Sequence, residues 1–240
     1  YFAKNLANIV WAHFLGRGIV DEVDDVRVSN PPVNAALLEQ LATKLKKSNY
    51  DFRELIREIC NSQTYQRSTK TNSSNANDQM NFSHANLRRI RAEVLLDAIS
   101  QVTETENRFR GHAKDSKAVQ IDDGSTNNYF LKTFGRSTRQ SVCSCEVKME
   151  PNLSQALHLL NGNTVNAKIA QGKVIEKLIE KKLSNEAIID NLYQRCLGRA
   201  PTDKELKTLV ESLTDEPDRK VALQDVFWSI LNCREFIFNH

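Results

Sequence analysis

The sequence is short of the residues that break helices, with five prolines and eight glycines in 240 residues. Long apolar runs are also missing, and no stretch approaches the roughly 20 apolar residues of a spanning helix, so we expect no transmembrane segment. Neither sign of charge dominates, since 33 Lys and Arg stand against 30 Asp and Glu, a net charge of +3. This balance gives no general attraction to nucleic acid, and we expect no nucleic-acid partner.

Familiar sequence motifs of catalysis are missing as well. The chain has no Gly-x-Ser-x-Gly elbow, no glycine-rich phosphate loop and no His-Glu-x-x-His. No Cys-x-x-Cys-His occurs either, so we expect no haem or other cofactor within this segment. These absences favour a protein without catalytic activity, although the absence of a motif does not by itself exclude an enzyme.

What the sequence has in quantity is helical periodicity, which predicts a mostly α fold with two helical lobes, a loop-rich middle and at most a few short strands. We expect an N-terminal helical lobe over 1–102, with an acidic loop at 17–33 and a polar loop at 66–86. An irregular connector over 103–150 precedes a C-terminal helical bundle over 151–240. One continuous domain is the alternative.

Individual helices are predicted from apolar spacing and from capping residues. The first spans residues 1–16 and presents its apolar face, which includes His13, every three or four residues. Leu87 to Val102 carries the clearest single stripe. Asp51 and Thr202 each begin a pattern that resembles a capping box. In the connector, short strands are predicted around 119–121, 129–134 and 142–147.

Cysteines form the most unusual local feature, because Cys143 and Cys145 flank a single serine. Two such thiols could hold a soft or borderline metal, with His158 or His13 completing the set of ligands. In an oxidising compartment they could instead form disulfides with the other three cysteines, Cys60, Cys196 and Cys233. Inert thiols are the third possibility.

The connector after the first helix is rich in carboxylates. Asp24 and Asp25 could act as general acid and base or as ligands of a cation, and Arg17 and Arg27 could clamp an anion or a substrate. His13 would then be the proton carrier. The alternative is a solvated acidic turn whose carboxylates pair with the two arginines.

Several strings of the sequence together resemble a known family, the planctomycete-specific C-terminal domain of unknown function, over residues 1–240. In that family the domain follows cytochrome-c-like and other uncharacterised domains in large proteins. The strings that carry the resemblance are NIVWAHFLGRGIV at 8–20, VDDVRVSNPP at 23–32, NSQTY at 61–65, CSCE at 143–146, LSQALHLLNG at 153–162 and EFIFNH at 235–240. The chain departs from the pattern at Ile9, Asn34 and Ser144, where the family has Arg, a nearby His and Glu.

The resemblance implies an exported protein of the periplasm or cell surface, which would favour disulfides. It places haem in a separate domain of the full-length protein. It also implies partners among the other domains of the same polypeptide, with carbohydrate or surface proteins as further ones. The chain opens at Tyr1, inside a helical pattern and without Met, which predicts a fragment or a processed form. No catalytic residue is carried over.

Three functions therefore remain open at this stage. The first is a non-catalytic interaction or scaffold module of a multidomain, cytochrome-c-linked surface protein. The second is an enzyme or electron-transfer partner in polysaccharide handling, with His13, Asp24, Asp25, Arg17 and Arg27 as its candidate residues. The third is a metal-binding domain that uses Cys143 and Cys145.

Overall fold

A computed structural model describes residues 1–23, 25–140, 147, 152–161, 163–214 and 216–239. The mostly α prediction is confirmed. The described residues divide into two compact units, Tyr1–Arg88 and Arg89–Asn239. We expected the first lobe to extend to residue 102, whereas the structure ends the first unit at Arg88. The reason is that the helix over Ala92–Val102 packs its apolar face into the second core.

The first unit contains three helices, α1 (Phe2–Leu15), α2 (Ala35–Lys47) and α3 (Phe52–Asn61). The helices of the second unit are α4 (Ala92–Val102), a 3-10 helix (Ala118–Gln120), α5 (Tyr129–Thr133), α6 (Leu153–Asn161), α7 (Asn163–Gly172), α8 (Val174–Glu180), α9 (Asn185–Leu197), α10 (Asp203–Ser212), α11 (Arg219–Leu231) and α12 (Arg234–Ile237). Two strands of two residues, β1 (Arg88–Arg89) and β2 (Phe238–Asn239), pair with each other.

Helix α1 buries a different face from the one that its large apolar residues suggest. Its buried stripe includes Ala3, Ala7 and Trp11, whereas Ile9 and His13 are exposed. The two alanines leave room for α2 and α3 to pack closely against α1, so the small residues define the buried face. His13 therefore lies on the solvent side of the helix.

The predicted helix caps are confirmed. The Asp51 side chain accepts hydrogen bonds from the backbone N–H groups of Arg53 and Glu54, at 2.8 and 3.1 Å. At the start of α10 the Thr202 hydroxyl and the Glu205 carboxylate cap one another's backbone N–H group, a complete capping box. These contacts supply partners to N–H groups that a helix leaves without one in its first turn.

The middle of the chain belongs to the second unit rather than connecting two lobes. Among residues 103–140, six apolar side chains are buried in the same core as α4, α7, α9 and α11: Phe109, Ala118, Ile121, Phe130, Leu131 and Phe134. Two of the predicted strands are wrong, because residues 118–120 form a 3-10 helix and 129–133 form α5. Of the third predicted strand, only Val147 lies within the described residues.

Helix α4 begins later than its apolar stripe predicts, at Ala92 instead of Leu87. The preceding backbone is extended, and the N–H group of Ile90 donates to the carbonyl of Ile237 at 2.9 Å. The buried guanidinium of Arg89 donates to the carbonyl of Phe134 at 2.8 Å. These long-range hydrogen bonds favour an extended segment where the local pattern favours a helix.

Helix α7 passes very close to the C-terminal end of α4. A Cβ atom added at Gly172 would lie 1.6 Å from the carbonyl oxygen of Thr103. Only a residue without a side chain fits there.

Among the described helices, none is both long enough and apolar enough to cross a lipid bilayer.

Candidate functional site

The acidic loop that follows α1 is anchored by one buried side chain, Asn8. The N–H group of Val20 donates to Asn8 Oδ1 at 2.9 Å, and Asn8 Nδ2 donates to the carbonyl of Val20 at 3.1 Å. Asn8 is fully buried. At Gly18 a Cβ atom would lie 2.1 Å from the Val20 carbonyl oxygen, so the tight approach requires glycine. These contacts fix the backbone at the beginning of the loop, at Gly18 and Val20.

The charged residues of this loop pair with one another. Arg17 Nη2 lies 2.9 Å from Asp21 Oδ2, and Arg27 makes a two-pronged contact with Asp25, in which Nη2 lies 2.5 Å from Oδ2. The hydrogen bond from Arg27 lowers the pKa of Asp25, and the same bond raises the pKa of Arg27. Asp25 is thus held as an anion, which disfavours it as a general acid.

A second side-chain amide, that of Asn30, also binds the backbone of the loop. Asn30 Nδ2 donates to the backbone carbonyls of Asp21 and Asp25, at 2.6 and 3.1 Å. Asp24 lies outside the described residues, so its predicted role stays a prediction. The ion pairs of the loop join Arg17 to Asp21 and Arg27 to Asp25. His13 is exposed on α1, and its role as proton carrier stays a prediction.

His158, predicted as a metal ligand, lies in an aromatic box in the second unit. The rings of Tyr129, Phe130 and Phe134 surround it at centroid distances of 5.2, 5.4 and 5.9 Å, and its Nε2 lies 3.1 Å from Thr164 Oγ1. Burial lowers the pKa of His158, which favours the neutral imidazole. Helices α5 and α6 carry this arrangement, since three of the four rings are on those two helices.

The other predicted metal ligands, Cys143 and Cys145, lie outside the described residues. Within the described part of the chain, no group of three or more His, Cys, Asp and Glu side chains could hold a metal ion. Cys60, Cys196 and Cys233 are free thiols. Burial raises the pKa of Cys196 to about 12 and also raises those of Cys60 and Cys233, so all three are poor nucleophiles at neutral pH.

The polar loop at 66–86 contains an organising residue that the sequence analysis missed. Asp78 accepts hydrogen bonds from the backbone N–H groups of Met80, Asn81 and Ser83, at 2.9, 2.8 and 3.0 Å. Hydrogen bonding from Ser83, Asn81 and Met80 holds the pKa of Asp78 well below its usual range. An Asp with Asn and Ser three and five residues later, in a loop rich in small polar residues, is the local pattern that could have identified it.

The ring of Phe82, in this loop, packs against α1. Phe82 adopts a left-handed backbone conformation with φ of 54°, and its carbonyl accepts a hydrogen bond from Arg67 Nη1 at 2.6 Å. The rings of Phe82 and Trp11 meet edge to face with centroids 5.3 Å apart. A cavity of about 190 Å³ lies here, lined by Trp11, Val33, Asn34, Leu37, Thr64, Met80, Asn81 and Phe82.

Comparison with known proteins gives one family. Residues 1–213 match the family described as "PSD1: Protein of unknown function (DUF1553)". The match covers most of the chain, which therefore belongs to this family. No curated protein and no solved structure matches the chain.

Proposed function

We propose that the chain is a non-catalytic interaction module, and that residues 17–30 form its recognition surface. The observation that carries the proposal is the anchoring of this loop by Asn8 and Asn30, whose amides hold its backbone at Val20, Asp21 and Asp25. A loop held by a rigid scaffold is a common place for recognition. Its exposed side chains include both signs of charge and the almost fully exposed Val28.

The pairing of the charges supports recognition over catalysis. A general acid or base needs a pKa close to the working pH, whereas the Arg27 contact moves the pKa of Asp25 away from it. Paired charges of both signs instead provide orientation and selectivity toward a complementary protein surface.

The partner that we propose is another domain of the same exported polypeptide, with haem in a separate domain. The resemblance of the ordered sequence strings to a planctomycete-specific domain that follows cytochrome-c-like domains supports this assignment.

An exported location would also favour disulfides at Cys143 or Cys145, for which a mass deficit of about 2 Da per bridge in the non-reduced protein is the test.

Zero-length cross-linking of carboxylates to lysines in the full-length polypeptide tests the recognition surface. We expect Asp21 and Glu22, which are both exposed, to be joined to lysines outside this chain. The cross-links should disappear in an Asp21→Asn, Glu22→Gln variant and persist in Glu211→Gln, a matched change of an exposed carboxylate in the second unit. Cross-links confined to this chain, or release of new reducing ends from a polysaccharide by the purified protein, would contradict the proposal.

A metal site at Cys143 and Cys145 is the second candidate function. It rests on two thiols separated by a single residue, which could hold a soft or borderline metal. Native mass spectrometry tests it: one bound zinc ion that is lost in a Cys143→Ser, Cys145→Ser variant would support the site. A metal-free protein after purification in the presence of zinc would exclude it.

A further inference from the structure

We infer that the cavity lined by Trp11 and Phe82 is a binding site for a single neutral sugar ring, such as a pyranose. This inference goes beyond the proposed recognition surface, because the cavity and the loop at 17–30 are formed by different residues. It is carried by the size of the cavity, the chemistry of its lining and one buried donor.

The buried donor is the indole N–H group of Trp11. The side chain is only 2% exposed, and its Nε1 has no hydrogen-bond partner among the described residues. A buried donor without a partner costs about 1–3 kcal/mol, and a bound ligand or water molecule is one way in which proteins offset that cost. Trp11 lines the cavity, and a ligand oxygen that reaches its Nε1 would give this donor a partner.

The lining explains which ligand would fit. None of the eight residues that line the cavity carries a charge, which disfavours phosphates, carboxylates and amines. Thr64 supplies a hydroxyl, and Asn81 supplies a carbonyl oxygen, since its Nδ2 already donates to Asp78 at 3.1 Å. Half-buried Phe82 provides aromatic surface. Apolar faces together with several hydrogen-bonding groups are what a sugar ring requires, with its C–H face and its ring of hydroxyls.

The volume sets the size of the ligand. About 190 Å³ is space for roughly six water molecules and lies below the range of about 300–1,000 Å³ for drug-sized ligands. One six-membered ring fits this space, whereas a nucleotide or a haem does not. Met80 and Asn81 are both exposed and mark the solvent side, where a longer glycan chain could continue outward.

Asp78 is a positioning residue for this site. Its carboxylate holds the backbone at Met80, Asn81 and Ser83, and thereby fixes both Asn81 and Phe82 at the cavity. Asp78→Asn keeps one carbonyl oxygen as an acceptor, whereas Asp78→Ala removes all acceptors. We therefore expect sugar affinity to fall in the order wild type, Asn variant, Ala variant.

Indole N–H resonances give a direct test, because the chain contains only two tryptophans and Trp228→Phe assigns them. The probes are the methyl glycosides of glucose, galactose, mannose and xylose, each titrated into the intact chain. With at least one of them, we expect a saturable shift of the Trp11 resonance and no shift of the Trp228 resonance. No shift of the Trp11 resonance with any of the four probes would overturn the inference.

Matched variants and a charged probe sharpen the test. Thr64→Val should weaken binding about tenfold, equivalent to one lost hydrogen bond, while Thr71→Val in the polar loop at 66–86 should leave it unchanged. The methyl glycoside of the corresponding uronic acid, which differs only in a carboxylate at C5, should bind at least about tenfold more weakly, because no cation lines the cavity. Equal binding of this charged probe would overturn the assignment to a neutral sugar. Cross-linking at Asp21 and Glu22 is a separate readout, so either proposal can fail alone.

Discussion

Buried side chains fasten irregular segments in both units, a neutral amide in the first and guanidiniums in the second. In the first unit, Asn8 and Asp78 offer oxygen atoms to backbone N–H groups at Val20 and in the loop at 78–83. In the second unit, the buried guanidiniums of Arg89 and Arg136 donate to backbone carbonyls instead. A segment without regular structure must satisfy its backbone somewhere, and the buried group that does so is a neutral amide in one unit and a cation in the other.

The difference has an energetic consequence. A buried guanidinium needs several acceptors to offset the cost of its desolvation. Arg136 donates to the carbonyls of Ile121 and Asp123, and its Nε lies 3.4 Å from the carboxylate of Glu93. A buried amide such as Asn8 carries no charge, so its desolvation costs less free energy. Removing a buried cation should therefore cost more than removing the amide.

The largest effect is expected for Arg136→Met in the second unit. The variant leaves two backbone carbonyls and Glu93 without their partner, and we expect it to lower the free energy of unfolding by about 3 kcal/mol. Urea denaturation measures this value, and amide exchange should show lost protection around Ile121. Arg108→Met, at an exposed arginine of the same segment, is the control and should change stability by less than about 0.5 kcal/mol. Equal effects of the two variants would contradict the role given to the buried cation.

A smaller loss is expected for Asn8→Ala in the first unit. The change leaves the N–H and C=O groups of Val20 without their side-chain partner, which should cost about 2 kcal/mol. We expect faster exchange of the Val20 amide and unchanged protection in the second unit. Asn61→Ala, at the exposed end of α3, serves as the control. If Asn8→Ala left exchange at Val20 unchanged, the amide would not be the anchor of the loop.

The smallest effect is expected from pH, through His158. Burial lowers its pKa in the folded protein from 6.5, so the unfolded chain binds the proton more readily. The stability that the neutral imidazole contributes is therefore complete above pH 6.5 and is lost as the pH falls below it, toward the pKa of the folded state.

Thermal denaturation between pH 7.5 and about 5 checks this prediction. The midpoint should fall less steeply in His158→Phe than in wild type, because the variant keeps an aromatic ring in the box and removes the titrating group. His112→Phe is the matched control and should retain the steep wild-type dependence. Parallel curves for wild type and His158→Phe would contradict the prediction.

The parts of the fold that the sequence predicted are those that depend on neighbours along the chain. The caps at Asp51 and Thr202 are local, since each involves residues within three positions, and both are confirmed. The helical class follows from periodicity for the same reason. By contrast, the late start of α4 depends on Arg89 reaching Phe134, 45 positions away, which no local pattern contains.

In the candidate site, too, contacts between sequence neighbours could be predicted and contacts between distant residues could not. Asp25 and Arg27 are two residues apart, and their pairing was one of the alternatives that the sequence left open. The prediction that His13 lies on the buried face of α1 was wrong, because two alanines rather than the large apolar residues define that face. The cavity was missed because it needs Trp11 and Phe82, which are distant in sequence and meet only in the fold.

The close crossing at Gly172 has a bearing on how this family can vary. Since the hydrogen atom of that residue lies where a methyl group would overlap the Thr103 carbonyl, an alanine there would force α7 away from α4. A homologue that keeps this crossing must keep the glycine, whereas one that has lost it must have moved α7. The identity of a single small residue would thus reveal, from sequence alone, which relatives share the packing of the second unit.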